Sequence, residues 1–158
     1  MMRIGLGYDV HRITNDRPLI LGGIRIPADF GLDGHSDADV LTHAIIDALL
    51  GAMGWGDIGS WFPDDDPRYK NVDSFELLAK VIRELESRQV KIHNIDSTVI
   101  AEKPKLQPHI NGMRERIAEG LNIAKEQISV KATTSEKLGF AGKGEGIAAH
   151  CVVLVAKQ

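Results

Sequence analysis

The sequence predicts an α+β fold, a two-layer sandwich in which a mixed sheet carries helices on one face. Three observations point there. Short β-rich runs and amphipathic helical stretches follow one another in the order β-(ββ)-α-α-β-α-β-β. The chain has 158 residues, enough for one domain to bury a core without staples. Hydrophobic residues make up 43% and charged residues 26%, the usage of an ordinary globular chain. Residues 1–158 are therefore expected to form a single domain, without repeats or linkers.

Each element has its own signal. Residues 3–12 read as a strand, with glycines at 5 and 7. Leu19 to Ile26 holds two short apolar runs around Gly22-Gly23, the pattern of a hairpin. Pro27 to Gly34 reads as loop. A helix follows to about Met53, with Ser36 or Asp37 as its N-cap and Asp37 and Asp39 in its first turn. Val40, Leu41, Ala44, Ile45, Ala48 and Leu49 form its apolar face, while Asp39, His43 and Asp47 share another. Glycines and prolines make 54–72 loop-rich. A second helix spans about 73–88, with Phe75, Leu78, Ile82 and Leu85 inward. Lys91 to Glu102 reads as a strand through Ile92, Ile95, Val99 and Ile100. A third helix at about 108–121 carries Ile110, Met113, Ile117 and Leu121. Ile128 to Thr133 and Gly146 to Ala156 close the chain as strands, with Gly142 to Gly146 as a flexible hairpin loop.

Bulk properties exclude several classes. A formal net charge of -3 is not the basic balance of a nucleic-acid binder. No apolar stretch approaches the ~20 residues of a membrane span, so no membrane partner is expected. Too few residues precede Asp9 for a signal or transit peptide. Cys151 is the one cysteine, and its apolar surroundings suit a buried, inert thiol. A cytoplasmic setting is expected.

Four segments can carry chemistry. Asp9 and His11 lie two apart in a strand and so point the same way. His43 can join them from the helix. An O/N/N ligand set leaves a tetrahedral zinc ion one open position, as in catalytic sites. Spacing alone leaves a second reading open, with Asp9 a turn acceptor and the imidazoles ordinary hydrogen-bonded groups. His35 and Ser36 precede a helix start, where free N–H groups favour phosphate. Asp57, Asp64, Asp65 and Asp66 sit on loops, suited to hydroxyls, a cation or plain solvent. Lys131 to Lys137 brings hydroxyls, Glu136 and two lysines to a strand exit, where Glu136 can hold Mg²⁺ on a diphosphate.

These segments occur together in one chain. Gly7-Tyr8-Asp9-Val10-His11 is followed by Ser36, Asp37, Asp39, His43, Ala44, Asp47, Ala48 and Gly51 in one stretch. Asp57-Ile58-Gly59, Phe62-Pro63-Asp64, Lys131-Ala132-Thr133-Thr134 and Glu136-Lys137-Leu138-Gly139-Phe140 complete the set. In that combination the chain closely resembles the 2-C-methyl-D-erythritol 2,4-cyclodiphosphate synthase family over essentially its whole length.

The resemblance implies a reaction and a site. The reaction is intramolecular phosphoryl transfer in the non-mevalonate isoprenoid pathway. The 2-phosphate of 4-diphosphocytidyl-2-C-methyl-D-erythritol 2-phosphate attacks the β-phosphorus and CMP leaves, a phosphorus-oxygen lyase activity. Asp9, His11 and His43 map to the Zn²⁺ ligands. Glu136 maps to the carboxylate that holds Mg²⁺ or Mn²⁺. His35 and Thr134 map to the groups that orient the reacting phosphorus, and Ser36 lies by the 2-phosphate. Asp57, Ile58, Gly59, Phe62, Pro63, Asp64, Asp65 and Asp66 map to the methylerythritol pocket. Ala101, Glu102, Lys103, Pro104, Lys105, Leu106 and Gln107, with Thr133 and Thr134, map to the cytidine site, with Lys105 near the nucleotide phosphates, and Ser135 is a further substrate-binding position.

The family also implies a homotrimer with shared active sites. Some members hold an isoprenoid diphosphate in an axial cavity, and Tyr8, Phe140, Lys143 and Glu145 fall at the matching positions. Lys143 stands where Arg is frequent, a point charge in place of a bidentate fork. Two further readings remain open from the residues: a zinc-dependent phosphohydrolase, and a non-catalytic trimer that binds a metal or an isoprenoid phosphate.

Overall fold

The computed structural model describes residues 1–157. Strand β1 (Met2–Thr14) opens the chain, and its two faces differ. Gly5 and Gly7 are buried, whereas Ile4 is 72% and Leu6 66% exposed on the opposite side. A separate hairpin follows, β2 (Leu19–Leu21) and β3 (Ile24–Ile26). Its turn residues Gly22 and Gly23 both take positive φ, 58° and 75°, which glycine adopts without steric penalty. Strand β4 (Gly31–Leu32) lies within the stretch expected to be loop. It pairs with the end of β1, Ile13 opposite Leu32, and satisfies main-chain groups there.

Helix α1 (Val40–Met53) starts later than the sequence suggests. Asp39, not Ser36 or Asp37, is its N-cap, and no acidic residue lies in its first turn. Ala38 sits in the left-handed region at φ 58°, so helical geometry cannot begin before it. Asp37 is drawn away to Ser74, at the start of a later helix. The apolar face is also wider than expected. Ile46 and Leu50 are buried along with Leu41, Ile45 and Leu49, and each such side chain contributes about 1.5–3 kcal/mol.

Helix α2 (Ile58–Trp61) and a 3₁₀ turn at Pro67–Tyr69 occupy the loop-rich segment. Helix α3 (Ser74–Ser87) buries Phe75, Leu78, Ile82 and Leu85 as its period requires. Strand β5 (Val90–Ile100) carries a bulge between Ile92 and Asn94. Helix α4 (Ile110–Leu121) buries Met113, Ile117 and Leu121. Strand β6 (Ile128–Thr133), the short helix α5 (Gly139–Gly142) and strand β7 (Gly146–Lys157) end the chain. Helix α5 takes up the start of the expected Gly142–Gly146 loop.

The main sheet has the order β4-β1-β7-β5-β6. Only β5 and β6 are parallel, joined through α4, so the sheet is mixed. Helices α1, α3 and α4 pack on it and enclose the core. Cys151 lies in that core, and burial pushes its thiol up to about 12, the inert state expected of it. No helix among the described residues is long and apolar enough to cross a membrane.

One contact governs the placement of α1. A Cβ on Gly7 would lie 1.9 Å from the Ala44 carbonyl oxygen, and one on Gly5 1.8 Å from that of Ala48. The helix backbone therefore rests directly on the β1 backbone. We expect Gly7→Ala to lower stability by about 1–3 kcal/mol, the usual penalty of overpacking. Urea unfolding followed by circular dichroism measures it, and an unchanged midpoint would contradict this packing.

Candidate metal centre and neighbouring cavities

Strand alternation aims Asp9 and His11 at the start of α1, and the glycine contact brings His43 to meet them. His11 Nε2 lies 2.9 Å from Asp9 Oδ2, and His43 Nδ1 lies 3.1 Å from the same oxygen. The two nitrogens are 3.1 Å apart. Three donor atoms thus form a nearly equilateral triangle. A tetrahedral ion with bonds of ~2.0–2.1 Å needs ligand edges of about 3.3 Å, so the triangle fits with little movement. The sequence predicted these three residues, and no other such cluster is found among the described residues.

The partners of the outer ring nitrogens fix which nitrogens face inward. His11 Nδ1 lies 2.7 Å from the Asp33 carbonyl oxygen, which can only accept. That nitrogen carries the hydrogen, which leaves Nε2 as the atom that can give a lone pair to a cation held between it and Asp9. His43 Nε2 lies 2.8 Å from Ser74 Oγ and 3.1 Å from Ser36 Oγ. The Ser74 hydroxyl donates to Asp37 Oδ1 and is left to accept from His43. His43 Nδ1 therefore presents its lone pair inward as well. Both tautomers are those a metal ligand needs.

The charge on Asp9 supports the same use. Burial opposes ionisation of Asp9, but the hydrogen bonds and charges of His11 and His43 outweigh it and hold the carboxyl at about 2. Burial also opposes a charged His11, and Asp9 outweighs it, raising that imidazole above its usual range, so a cation at the trio takes the place of a proton on Nε2. A carboxylate that stays ionised beside two ring nitrogens is a ready cation site.

Sequence reasoning missed the scaffold behind the trio. Asp37 Oδ2 accepts the Ser74 N–H at 3.1 Å, tying the approach to α1 to the start of α3. Asp39 is fully buried and accepts from Gly22, Gly23 and Thr42, which docks the β2–β3 hairpin. Arg17 donates to the carbonyls of Gly34 and Ser36 and so grips the segment around His35. His35 Nε2 donates to the Asp66 carbonyl at 2.9 Å, joining that segment to the 63–67 loop. Contacts between such distant positions leave no local signature in sequence.

The trio opens on a cavity of about 310 Å³, which His35, Ser36, Ile58, Gly59, Phe62 and Asp64 also line. Tyr69 and Leu77, not singled out in the sequence, complete the wall. Asp57, Pro63, Asp65 and Asp66 do not line it. Asp57 is exposed and caps α2, where bonds from Ser60 lower its pKa. Asp66 pairs with Arg68, whose guanidinium holds it at about 2. A second cavity, of about 300 Å³, is lined by Ala101, Glu102, Pro104, Lys105, Leu106, Gln107, Thr133 and Thr134. Lys103, Lys137 and Lys143 line a third, of about 570 Å³, which Glu102 also borders. Ser135, Glu136 and Phe140 line none of these. Phe140 is 42% exposed.

Two variants test the centre. Ser74→Ala should weaken zinc binding roughly 10–100-fold while leaving all three ligands in place. Competition with a chromophoric chelator reads this, and an unchanged affinity would remove Ser74 from the scaffold. His43→Ala should lose retained metal outright with its circular dichroism spectrum intact.

The profile of the YgbB family matches residues 2–156. A Bacillus velezensis protein named 2-C-methyl-D-erythritol 2,4-cyclodiphosphate synthase is 58% identical over 157 residues, covering 99% of each chain. A solved structure of the Plasmodium falciparum IspF in complex with CDP is 36% identical at a TM-score of 0.87, covering 99% of this chain and 97% of that one. The bifunctional IspDF of Campylobacter jejuni is 42% identical at a TM-score of 0.96, and this chain covers 43% of it. With a metal triangle on β1 and α1 and these matches over its length, the chain belongs to the YgbB family of 2-C-methyl-D-erythritol 2,4-cyclodiphosphate synthases.

Proposed function

We propose that this chain, a single synthase domain, cyclises 4-diphosphocytidyl-2-C-methyl-D-erythritol 2-phosphate to the 2,4-cyclodiphosphate and releases CMP. The observation that carries the reading is the triangle of Asp9 Oδ2, His11 Nε2 and His43 Nδ1, with edges of 2.9 to 3.1 Å, opening on a cavity. The relatives' shared name supplies the reaction. Zinc is the ion we assign to the trio, and Mg²⁺ or Mn²⁺ the one we assign to Glu136. When bound, these ions withdraw charge from phosphoryl oxygens and lessen the repulsion between two anionic phosphates.

The chain's own groups do the rest by placement. His35 is held through Nε2 and offers its other ring edge to a phosphate oxygen. Ser36, at the cavity wall, offers a hydroxyl to the same phosphate. Ile58, Gly59 and Phe62 give the methylerythritol part a confined, partly apolar berth. On the other side, Thr133 and Thr134 with the Ala101–Gln107 loop receive the cytidine diphosphate, and Lys105 balances its charge. No nucleophilic side chain is needed, because the substrate's own phosphate attacks.

The two half-sites share no lining residue within one chain. A homotrimer resolves that separation, with one subunit supplying the metal cavity and its neighbour the nucleotide cavity. The uncovered apolar face of β1 supports it. Met2 is 71%, Ile4 72% and Leu6 66% exposed, joined by Tyr8, Val10 and Val152, more apolar surface than a lone subunit usually leaves in water. Strand β1 contributes most of this face, and Val152 on β7 adds to it. An isoprenoid diphosphate on the trimer axis near Phe140 and Lys143 belongs to this reading. A cytoplasmic setting belongs to it too, resting on the lone cysteine.

Phosphorus NMR of the protein with substrate, Zn²⁺ and Mg²⁺ tests the reaction. A cyclic diphosphate with stoichiometric CMP is expected, and a linear phosphate product would overturn it in favour of a hydrolase. Shared sites are tested by mixing two inactive variants, His43→Ala and Thr134→Ala. With free subunit exchange about one quarter of sites regain both halves, and activity should return to that fraction. No recovery despite proven exchange would contradict the sharing. Glu136→Gln should raise the Mg²⁺ concentration needed for half-maximal rate, and an unshifted titration would remove Glu136 from the second metal site.

A further inference from the structure

The turn that carries Glu136 is conformationally unusual. Leu138 N–H donates to the Ser135 carbonyl at 2.9 Å, closing a four-residue turn. Both central residues lie in the left-handed region, Glu136 at φ 51° and Lys137 at φ 61°. Such turns normally recruit Asn-Gly or Gly-Gly, because side chains with a Cβ are strained there. Glu-Lys has no local reason to adopt this shape. Something outside the turn must hold it.

Glu102 is that support. Its Oε1 accepts the N–H of Ser135 at 2.9 Å and of Lys137 at 3.2 Å. One carboxylate oxygen thus spans the turn and fixes its entry and its second central residue. Glu102 follows Ala101, whose N–H donates to the Thr133 carbonyl at 3.0 Å, so the brace stands on the sheet itself. Two lesser bonds complete the turn: Ser135 Oγ to the Leu138 carbonyl at 2.8 Å, and Glu136 N–H to Thr134 Oγ1 at 3.3 Å. The latter ties the Thr134 hydroxyl to the same turn.

We infer that Glu102 is a positioning residue whose carboxylate holds the Ser135–Leu138 turn in its left-handed form and so sets where Thr134 and Glu136 stand. The inference rests on the roles proposed above for those two residues. It changes the use expected of Glu102, from a direct contact with the nucleotide to a brace behind the groups that make contact. An acceptor oxygen is what the turn requires, and a negative charge is not. The amide oxygen of glutamine can accept the same two hydrogens.

Glu102→Ala and Glu102→Gln separate these uses in the full-length protein. In Glu102→Ala, amide exchange at Ser135 and Lys137, read by NMR, should accelerate on the order of tenfold or more, the loss expected for hydrogen bonds to a charged acceptor. Mn²⁺ affinity in the presence of CDP, read by electron paramagnetic resonance, should fall by a similar factor. Turnover should fall on the order of a hundredfold, as for a misplaced catalytic group, while bound zinc is unchanged. Glu102→Gln should recover most of all three. Unchanged exchange at both amides in Glu102→Ala would overturn the inference. So would a loosened turn with intact Mn²⁺ binding and turnover, or a Glu102→Gln protein with protected amides and the full defect. If Glu136→Gln fails to shift the Mn²⁺ titration, the metal role of Glu136 falls, and amide exchange still decides whether Glu102 holds the turn.

Discussion

The close approach of α1 to β1 is the constraint on which the site depends. Helices usually stand off a sheet by the thickness of two side-chain layers. Here Gly5 and Gly7 remove one layer, so the Ala44 and Ala48 turns meet the strand backbone. Asp9 and His11 continue the same inward face of β1, and His43 adjoins Ala44 on the helix. Once backbones touch at Gly7, the short carboxylate of Asp9 can reach an imidazole on α1. A wider spacing would leave these three donor atoms apart. The geometry of the metal triangle is thus set by two residues that carry no functional group.

A second layer converts proximity into a defined site. Two imidazoles and a carboxylate at 3.1 Å or less can share protons in several ways. The Asp33 carbonyl and the Asp37–Ser74 pair permit one tautomer of each ring. Asp37 does this while also taking the Ser74 N–H, so the group that orients His43 is the group that joins α1 to α3. Asp39 plays the matching part on the hairpin side. Buried polar groups of this kind are destabilising unless fully satisfied, and none among the described residues is left unpartnered. Stability and ligand orientation therefore draw on the same bonds, which couples the integrity of the fold to the readiness of the site.

What the sequence made legible follows from this division. Helices α3 and α4 were plain because periodicity alone specifies them. Asp9 and His11 were legible as a pair because strand alternation fixes their common direction. The family resemblance pointed to Ile58, Gly59, Phe62 and Asp64, which line the cavity beside the trio, and also to Asp57, Pro63, Asp65 and Asp66, which do not. Ser74, Arg17 and the true N-cap Asp39 were not legible, since each acts on a partner more than a dozen residues away or depends on Ala38 in a left-handed conformation. Asp37 was misread for the same reason: its composition says cap, and its tertiary partner is a serine on another helix. The two-residue β4 and the four-residue helices α2 and α5 are too short to leave a period.

The two proposed half-sites differ in how they are held. The candidate metal side has its ligands on the longest strand and the most buried helix, with a second partner for each ring. The proposed nucleotide side includes a left-handed turn that donates two main-chain bonds to one Glu102 oxygen, with lesser bonds at Ser135 and Thr134. A cyclisation demands that one phosphate be fixed while the other is brought to it. On the proposed reading, the metal cavity anchors one phosphate and the nucleotide berth presents the other to it. If the berth is supplied by a neighbouring subunit, as proposed, the apolar face of β1 does more than bury surface. It sets the distance between anchor and berth, and assembly becomes part of how the substrate is folded back on itself.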